Sequence, residues 1–263
     1  MSVLRKIFRL LLVSADFAIL IAIVLIQRPR TRRDRAAWLG RLCRRVMRSI
    51  DMSYEIRGPV PPSGTIISNH LTFFDIFLHA ASHPSVFISK IELRSFPLLG
   101  WISMMAGTVY VERGAGGSAA KAAEGMGKGF RDGLPVVFFP EGTTGTDDTT
   151  VLPFRSGLLA QAIMLGQPVH AAHIRYELSP KDIARGKTAS KNFYWGPQTL
   201  PQIIWEFLGL HEVKATITFA PEPIAFTPPA VENRKIAAVE ARDAVLALAA
   251  SAGTETEPLV SVP

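Results

Sequence analysis

Residues 64–77, GTIISNHLTFFDIF, decide how the rest of the chain is interpreted. Residues 65–67 predict a short buried strand, and the apolar residues from Phe73 onward predict a helix. Four polar residues lie around the turn between them: Asn69, His70, Thr72 and Asp75. Folds that alternate strands and helices place their sites at the ends of strands, so this turn is a candidate site.

His70 and Asp75 are five residues apart, and this spacing restricts how they can meet. On a regular helix five residues rotate by about 500°, which leaves the two side chains about 140° apart. They face each other only if His70 precedes the helix and Asp75 lies in its first turn. A carboxylate on one ring nitrogen then fixes the tautomer and leaves the other nitrogen as a base. The structural alternative is a capping box formed by Thr72 and Asp75, with His70 as an ordinary loop histidine.

The composition favours an anionic partner. The chain has 263 residues, 48% of them hydrophobic, with a mean hydropathy of +0.22. Its formal net charge is +7 and its pI is about 9.8. Such a balance suits a membrane surface, a nucleic acid or a phosphorylated substrate. The single cysteine, Cys43, excludes an internal disulfide, a cysteine-rich zinc module and a CxxC redox site.

Residues 1–50 predict a pair of membrane-associating helices. Residues 10–26 form an apolar run with basic residues on both sides, namely Arg5, Lys6, Arg9, Arg28, Arg30, Arg32, Arg33 and Arg35. If the run spans a bilayer, the heavier positive charge after it places the body of the protein in the cytoplasm. If it lies in the interface, which Asp16 favours, it is an anchor. A buried core helix is the third interpretation.

Residues 34–50 predict an amphipathic helix with four arginines mostly on its polar face: Arg41, Arg44, Arg45 and Arg48. A basic amphipathic helix beside an apolar segment is typical of a surface attracted to anionic lipid. The alternative is a helix packed on the domain with a solvated basic face. Nucleic-acid binding is disfavoured, because aromatic residues are not interleaved with these arginines.

From residue 54 onward the pattern predicts an α/β fold with a mixed, largely parallel sheet covered by helices. Strands are expected at 54–56, 65–67, 85–89, 108–111, 135–139, 168–176 and 213–220, and helices at 73–81, 118–130, 155–165 and 231–249. Residues 92–105 form an apolar segment broken at Pro97. A C-terminal helix and a loose tail occupy 231–263.

Two further strand ends carry polar residues that converge with His70 if the strands are parallel. Arg113 follows one, and the sequence Glu141-Gly142-Thr143 follows the other. Arg113 offers a planar, charged fork suited to phosphate, and Gly142 lets the backbone approach a ligand closely. The structural alternatives are a surface ion pair for Arg113 and a cap or loop role for Glu141.

Two other patterns, one for nucleotide binding and one for metal binding, are weaker evidence for a site. Residues 114–119, GAGGSA, fit a permissive dinucleotide-binding fingerprint, but an arginine directly before the turn is unusual and the strand lies in mid-chain. Four histidines, His79, His83, His170 and His173, lack acidic or cysteine companions at ligand spacing. We therefore expect no metal site.

Three motifs in this order resemble the glycerolipid acyltransferase family, the PlsC-like 1-acylglycerol-3-phosphate acyltransferases. They are His70-x4-Asp75 (HxxxxD), residues 107–113 (GTVYVER) and residues 139–143 (FPEGT). The resemblance covers residues 54–223 and implies an acyltransferase domain at 51–230. The basic, apolar N-terminus also resembles the membrane-associating helices that precede this domain.

The resemblance implies a catalytic or a substrate-binding role for each residue of the site. His70 and Asp75 are expected to be catalytic. Expected substrate-binding residues are Asn69, Arg113, Glu141, Gly142 and Thr143. The expected donor is a fatty acyl thioester on coenzyme A or acyl carrier protein. The expected acceptor is the free hydroxyl of a lysolipid, with 1-acylglycerol-3-phosphate, which gives phosphatidic acid, as the first choice. Neither a metal nor another cofactor is expected. The enzyme is expected at a membrane, with its catalytic domain facing the cytoplasm.

The chain departs from the family pattern next to the third motif. The family usually continues with Arg-Ser, whereas this chain has Thr144-Gly145. The Val-Pro pair of the fourth motif is also replaced, by Val169-His170. A similar FPEGTT form, followed by LPF, a basic residue and Ser as at 152–156, occurs in lyso-ornithine lipid acyltransferases. Three alternatives to phosphatidic acid synthesis therefore stay open. They are a lyso-ornithine lipid acyltransferase, a catalytically inactive lipid-binding relative and a nucleotide-binding protein.

Overall fold

A computed structural model describes residues 2–112, 118–194, 196, 198–251 and 260–261 of the protein. The first two elements form a helical hairpin. Helix α1 covers Ser2–Gln27 and α2 covers Arg32–Ser49. The indole of Trp38 donates to the carbonyl of Leu20 at 2.8 Å, and Asp16 accepts from Arg45. These contacts show that the two helices run antiparallel.

An eight-stranded sheet follows. Its strands are β1 (Met52–Arg57), β2 (Thr65–Ser68), β3 (Val86–Lys90), β4 (Val109–Val111), β5 (Val136–Phe138), β6 (Val169–Leu178), β7 (Val213–Phe219) and β8 (Val260–Ser261), in the spatial order β4-β3-β5-β2-β6-β7-β1-β8. The five strands from β4 to β6 are mutually parallel, β7 is antiparallel to β6, and β1 is parallel to β7. The predicted mixed, largely parallel sheet is therefore confirmed.

The remaining helices cover the sheet. They are α3 (Phe74–Ser82), α4 (Pro97–Met105), α5 (Ser118–Arg131), α6 (Ser156–Met164), α7 (Pro180–Ile183), α8 (Ala189–Asn192), α9 (Leu200–Phe207), α10 (Pro228–Glu232) and α11 (Arg234–Ser251), with a 3₁₀ turn at Ile91–Ser95. The break expected at Pro97 is where α4 begins, since proline is tolerated in the first turn of a helix. Helix α9 was not predicted. The segment expected to be a loose tail contributes β8, which pairs antiparallel with β1.

Alternate residues of the central strands face two hydrophobic cores. Ile66 and Val137 belong to a core that includes residues of α1, α2, α3 and α9. Ile67, Val136 and Phe138 belong to a core that includes residues of α6 and α11. Because successive side chains of a strand point to opposite faces, β2 and β5 are buried on both sides. Their carboxyl ends are consequently rigid supports for the loops that follow.

Basic residues of α1 fasten the hairpin to the domain. The buried guanidinium of Arg9 donates to the carbonyl of Leu210 and pairs with Asp51 at 2.8 Å. Arg5 donates to the carbonyl of Gly209 at 2.9 Å. These carbonyls follow the end of α9, where the helix dipole favours cations. The helix therefore begins earlier than the apolar run predicted, and its first turns are bound to the body of the protein.

The other side of α1 is exposed and apolar. Among its exposed residues are Leu4, Phe8, Leu11, Leu25 and Ile26. The segment Val3–Gln27 is long and apolar enough to cross a membrane by length and composition, and 17% of its most apolar window is buried within the protein. An apolar surface of this size is costly to leave in water.

Candidate active site

The turn between β2 and α3 brings His70 and Asp75 together. Strand β2 ends at Ser68 and α3 begins at Phe74, so His70 precedes the helix and Asp75 lies in its first turn. Nδ1 of His70 is 2.7 Å from Oδ2 of Asp75. This is the arrangement that the five-residue spacing required.

Asp75 is held by four hydrogen-bond donors and is fully buried. Oδ2 accepts from His70 and from the backbone N–H groups of Leu71 and Thr72, at 2.6 and 3.0 Å, and Oδ1 accepts from the hydroxyl of Tyr176 at 2.7 Å. An ionised carboxylate only accepts hydrogen bonds, so Nδ1 of His70 carries the proton. Nε2 is thus left with a free lone pair, and 19% of the His70 side chain is exposed, which allows a substrate to reach it.

The capping-box alternative is only half correct. Residue Phe73, not Thr72, is the N-cap of α3, and its side chain makes no capping bond. Among the residues that the structure describes, the hydroxyl of Thr72 has no hydrogen-bond partner. Asp75 does accept from the backbone N–H of Thr72, but the same oxygen also binds His70.

Glu141 joins the loop after β5 to the loop after β2. Oε1 accepts from the backbone N–H of His70 at 2.7 Å, and Oε2 accepts from that of Leu152 at 2.9 Å. The carbonyl of His70 in turn accepts from Gly145 at 2.7 Å. Burial raises the pKa of Glu141 to about 7, although the two N–H donors act in the opposite direction. Both oxygens are therefore engaged inside the protein.

Asn69 performs a similar task on the other side of β2. Its amide nitrogen donates to the carbonyl of Ile174 at 2.9 Å, and its amide oxygen accepts from the N–H of Ile174 at 2.7 Å. The side chain is 1% exposed. This paired contact fastens the end of β2 to β6 and leaves Asn69 without access to solvent.

The other expected site residues lie around this core. Gly142 has a φ of +69°, a left-handed conformation that favours glycine, and Thr143 beside it is exposed. The ring of Phe139 stacks on His70 with centroids 4.2 Å apart. Arg113 and the glycines at 114, 116 and 117 lie outside the described residues. Strand β4, which ends at Val111, is parallel to β3 and thus points toward the same edge as β2 and β5.

Tyr176 is a site residue that sequence reasoning missed. It lies near the end of β6, inside the segment predicted as a strand, where its position carries no motif. Its ring packs against Phe193 with centroids 4.4 Å apart, and Phe193 stacks on Phe74 of α3. Burial and the neighbouring Asp75 carboxylate raise the pKa of Tyr176 well above its ordinary value, so the hydroxyl remains a donor.

Among the four histidines considered as metal ligands, the rings of His79 and His83 lie 6.1 Å apart, whereas His173 contacts the main chain at Asp148. Nε2 of His79 is 3.1 Å from the hydroxyl of Ser68, and burial lowers its pKa well below the usual range. Burial also lowers the pKa of His83, to about 4. His173 lies near the active-site loop, with Nε2 2.8 Å from the carbonyl of Asp148.

Comparison with known proteins shows that the chain is similar to lipid acyltransferases. A model of the family described as Acyltransferase matches residues 53–175. The chain is 30% identical over 195 residues to a 1-acyl-sn-glycerol-3-phosphate acyltransferase of Neisseria meningitidis, covering 73% of this chain and 72% of that protein. It is 34% identical over 156 residues to a lyso-ornithine lipid O-acyltransferase of Rhodobacter capsulatus, covering 57% of this chain and 55% of that protein.

The fold also matches a solved structure. The 1-acyl-sn-glycerophosphate acyltransferase PlsC of Thermotoga maritima superposes with a TM-score of 0.63 over 96% of this chain and 99% of that one. The two sequences are 19% identical, so this similarity concerns the fold.

Proposed function

Since the chain belongs to the acyltransferase family and is a lipid acyltransferase of the lysolipid type, we propose that its preferred acceptor is 1-acylglycerol-3-phosphate, which it converts to phosphatidic acid. The acyl donor is a thioester on coenzyme A or on acyl carrier protein. The observation that carries the proposed reaction is the 2.7 Å contact between His70 and a buried Asp75, with Nε2 of His70 directed away from the carboxylate. The choice of acceptor rests on the 30% identity to the 1-acyl-sn-glycerol-3-phosphate acyltransferase of Neisseria meningitidis. No further cofactor and no metal takes part.

In the proposed reaction, Nε2 of His70 removes the proton of the acceptor hydroxyl as its oxygen attacks the thioester carbonyl. The tetrahedral intermediate collapses and expels the thiolate, which takes the proton back from the imidazolium. Asp75 stabilises that imidazolium and keeps the ring in the productive tautomer. The ester and the free thiol are the products, and no covalent acyl-enzyme forms.

The remaining residues divide into two groups in this proposal. Asn69 and Glu141 act as positioning residues, because their buried polar atoms bind the main chain of the active-site loops. Arg113, Gly142 and Thr143 bind the acceptor head group. Holding the lysolipid and the thioester in one geometry supplies much of the rate enhancement.

We further propose that the hairpin of α1 and α2 lies in the membrane interface and does not span the bilayer. Asp16, near the middle of α1, binds Arg45 at 2.8 Å and Ser49 at 2.5 Å on the strongly basic α2. Placing that ion pair in the hydrocarbon core is expensive. With the apolar side of α1 inserted and the domain in the cytoplasm, the active site meets lysolipids at the surface.

Lyso-ornithine lipid is the second candidate acceptor, and the loop after Thr143 favours it. Where the family carries arginine and serine, this chain has Thr144-Gly145, followed by Asp147 and Asp148. Asp148 is tied to Arg175 on β6 at 3.4 Å, so the acidic loop lies beside the site. Within the described residues Asp147 has no cationic partner, and an unpaired carboxylate repels a phosphate and attracts an ammonium group. Lyso-ornithine lipid has no phosphate group.

The acceptor is decided by a side-by-side assay. Purified full-length protein in liposomes is given labelled acyl-CoA or acyl carrier protein, with lysophosphatidic acid and lyso-ornithine lipid as competing acceptors. We expect phosphatidic acid as the main product and none from the His70→Ala variant. Acylation of lyso-ornithine lipid alone would replace the proposed acceptor but keep the reaction.

Tyr176 provides a test of how Asp75 is oriented. Tyr176→Phe removes one hydrogen bond to a buried carboxylate, and we expect kcat to fall about tenfold. Without that donor the carboxylate holds the imidazolium more strongly, so the acidic limb of the pH–rate profile should move to higher pH. Tyr194→Phe is the matched control, because Tyr194 lies in the same aromatic cluster, 6.3 Å from Tyr176. Identical profiles for both variants would remove Tyr176 from this role.

A further inference from the structure

A trough on the outer side of the helical hairpin collects six arginines. Helix α2 presents Arg41, Arg44, Arg45 and Arg48, whose spacing of three and four residues places them on one face. Arg28 and Arg30 come from the turn between the helices. We call this feature, Arg28, Arg30, Arg41, Arg44, Arg45 and Arg48 with the α1 residues beside them, the arginine trough.

The trough consists of two adjoining cavities of about 460 and 580 Å³. Gln27 and Arg41 line both, so the cavities form one continuous groove. The floor on the α1 side is apolar, with Leu20 and Ile23. This volume accommodates a lipid head group.

Part of the charge in the trough is unpaired, although Arg45 is bound to Asp16 and Arg44 donates to the carbonyl of Ala81 at 2.9 Å. Two carboxylates are near: Asp34, which accepts from the hydroxyl of Thr31 at 2.6 Å, and Asp16, which is bound to Arg45. Within the described part of the chain, Arg30 and Arg41 make no hydrogen bond or ion pair. The unpaired guanidinium groups of Arg30 and Arg41 suit the oxygens of a phosphate.

An apolar surface continues from the trough along α1. Ile19 and Ile26 are 45% and 80% exposed and flank Ile23 on the same side of the helix. A ligand that fills both regions needs a phosphate and a hydrocarbon chain. A nucleic acid has a phosphate but no hydrocarbon chain to cover the apolar surface of α1.

We propose that the arginine trough binds the phosphate head group of an anionic membrane phospholipid, whose acyl chain lies along Ile19 and Ile26. This site is separate from His70 and would operate whichever lysolipid is acylated. Its occupant fixes the depth and rotation of the hairpin in the interface.

The test uses the full-length protein in detergent and native mass spectrometry, with phosphatidylglycerol or phosphatidylcholine of matched acyl chains. The variant is Arg30→Gln with Arg41→Gln; the charge-matched control is Arg234→Gln with Lys235→Gln, on exposed positions of α11. Each basic residue near a lipid surface contributes about 1 kcal/mol, so we expect phosphatidylglycerol affinity to fall roughly 25-fold in the variant and to stay unchanged in the control. Phosphatidylcholine should bind weakly to all three proteins.

Acyl transfer to a detergent-solubilised lysolipid should be equal in the three proteins, which separates this site from the catalytic one. Equal retention of phosphatidylglycerol by the variant and the wild type would overturn the proposal. So would equal binding of phosphatidylcholine and phosphatidylglycerol by the wild type. If the variant instead loses binding to acyl carrier protein and keeps the lipid, the trough is a protein-docking surface.

Discussion

Replacing His70 with alanine is expected to abolish acyl transfer, with kcat lower by about 10⁴-fold. In the proposed reaction Nε2 of His70 accepts the substrate proton. Within the described part of the chain, the hydrogen bond to Asp75 and the stack on Phe139 are the contacts that its side chain makes. The bonds that join the two loops use the backbone of His70, namely its N–H to Glu141 and its carbonyl to Gly145. The variant should therefore fold.

The measurement is single-turnover acyl transfer by the purified variant, together with circular dichroism and thermal unfolding. His170→Ala is the matched control. His170 lies near the start of β6, whereas Tyr176, which contacts Asp75, lies near the end of that strand. Near-normal transfer by a folded His70→Ala protein would mean that another group removes the proton. Loss of transfer in both variants would point to a damaged sheet.

Changing Asp75 to asparagine is expected to lower kcat by about 10³- to 10⁴-fold while keeping the protein folded. An amide has one acceptor atom where the carboxylate has two. If that oxygen turns to the N–H groups of Leu71 and Thr72, the amide nitrogen faces Tyr176; if it turns the other way, two backbone donors lose their partner. In the second orientation the amide donates to Nδ1 of His70, which moves the ring proton to Nε2 and removes the base.

Asp75→Ala separates the effect of Asp75 on catalysis from its effect on the stability of the turn. It leaves several buried donors without a partner, each costing about 1–3 kcal/mol, so its unfolding temperature should fall well below that of Asp75→Asn. Both variants are compared by kcat and by thermal unfolding. Activity of Asp75→Asn within a few-fold of the wild type would show that Asp75 only supports the turn.

The sequence predicted most of what lies close together along the chain. The five-residue spacing of His70 and Asp75 required a strand end and a first helical turn, and the structure has both. The alternation of strands and helices predicted the sheet type, because hydrophobic periodicity is a local property. The functional class followed from three short motifs, each confined to a few residues.

The sequence did not reveal the long-range bonds that hold the site. Tyr176 reaches Asp75 across 101 residues of sequence, Asn69 reaches Ile174 across 105, and Glu141 reaches His70 across 71. The motif suggested that Asn69 and Glu141 bind substrate, whereas their buried polar atoms bind main chain. Similarly, the sequence left α1 with three interpretations, among which Asp16 favoured the interface. Only the structure shows that this carboxylate contacts Arg45 and Ser49 of α2.

By itself, the sequence determined the α/β class, the order of its elements, the family and the pairing of His70 with Asp75 that the proposed reaction uses, since each depends on residues within one turn or one strand. The tertiary structure alone decided which oxygen of Asp75 each donor occupies, and that Tyr176 belongs to the site. It also gathered the arginines of α2 and the interhelical turn into one trough beside α1. The physical reason is that sheet order and helix packing bring together residues whose distance in sequence carries no signal.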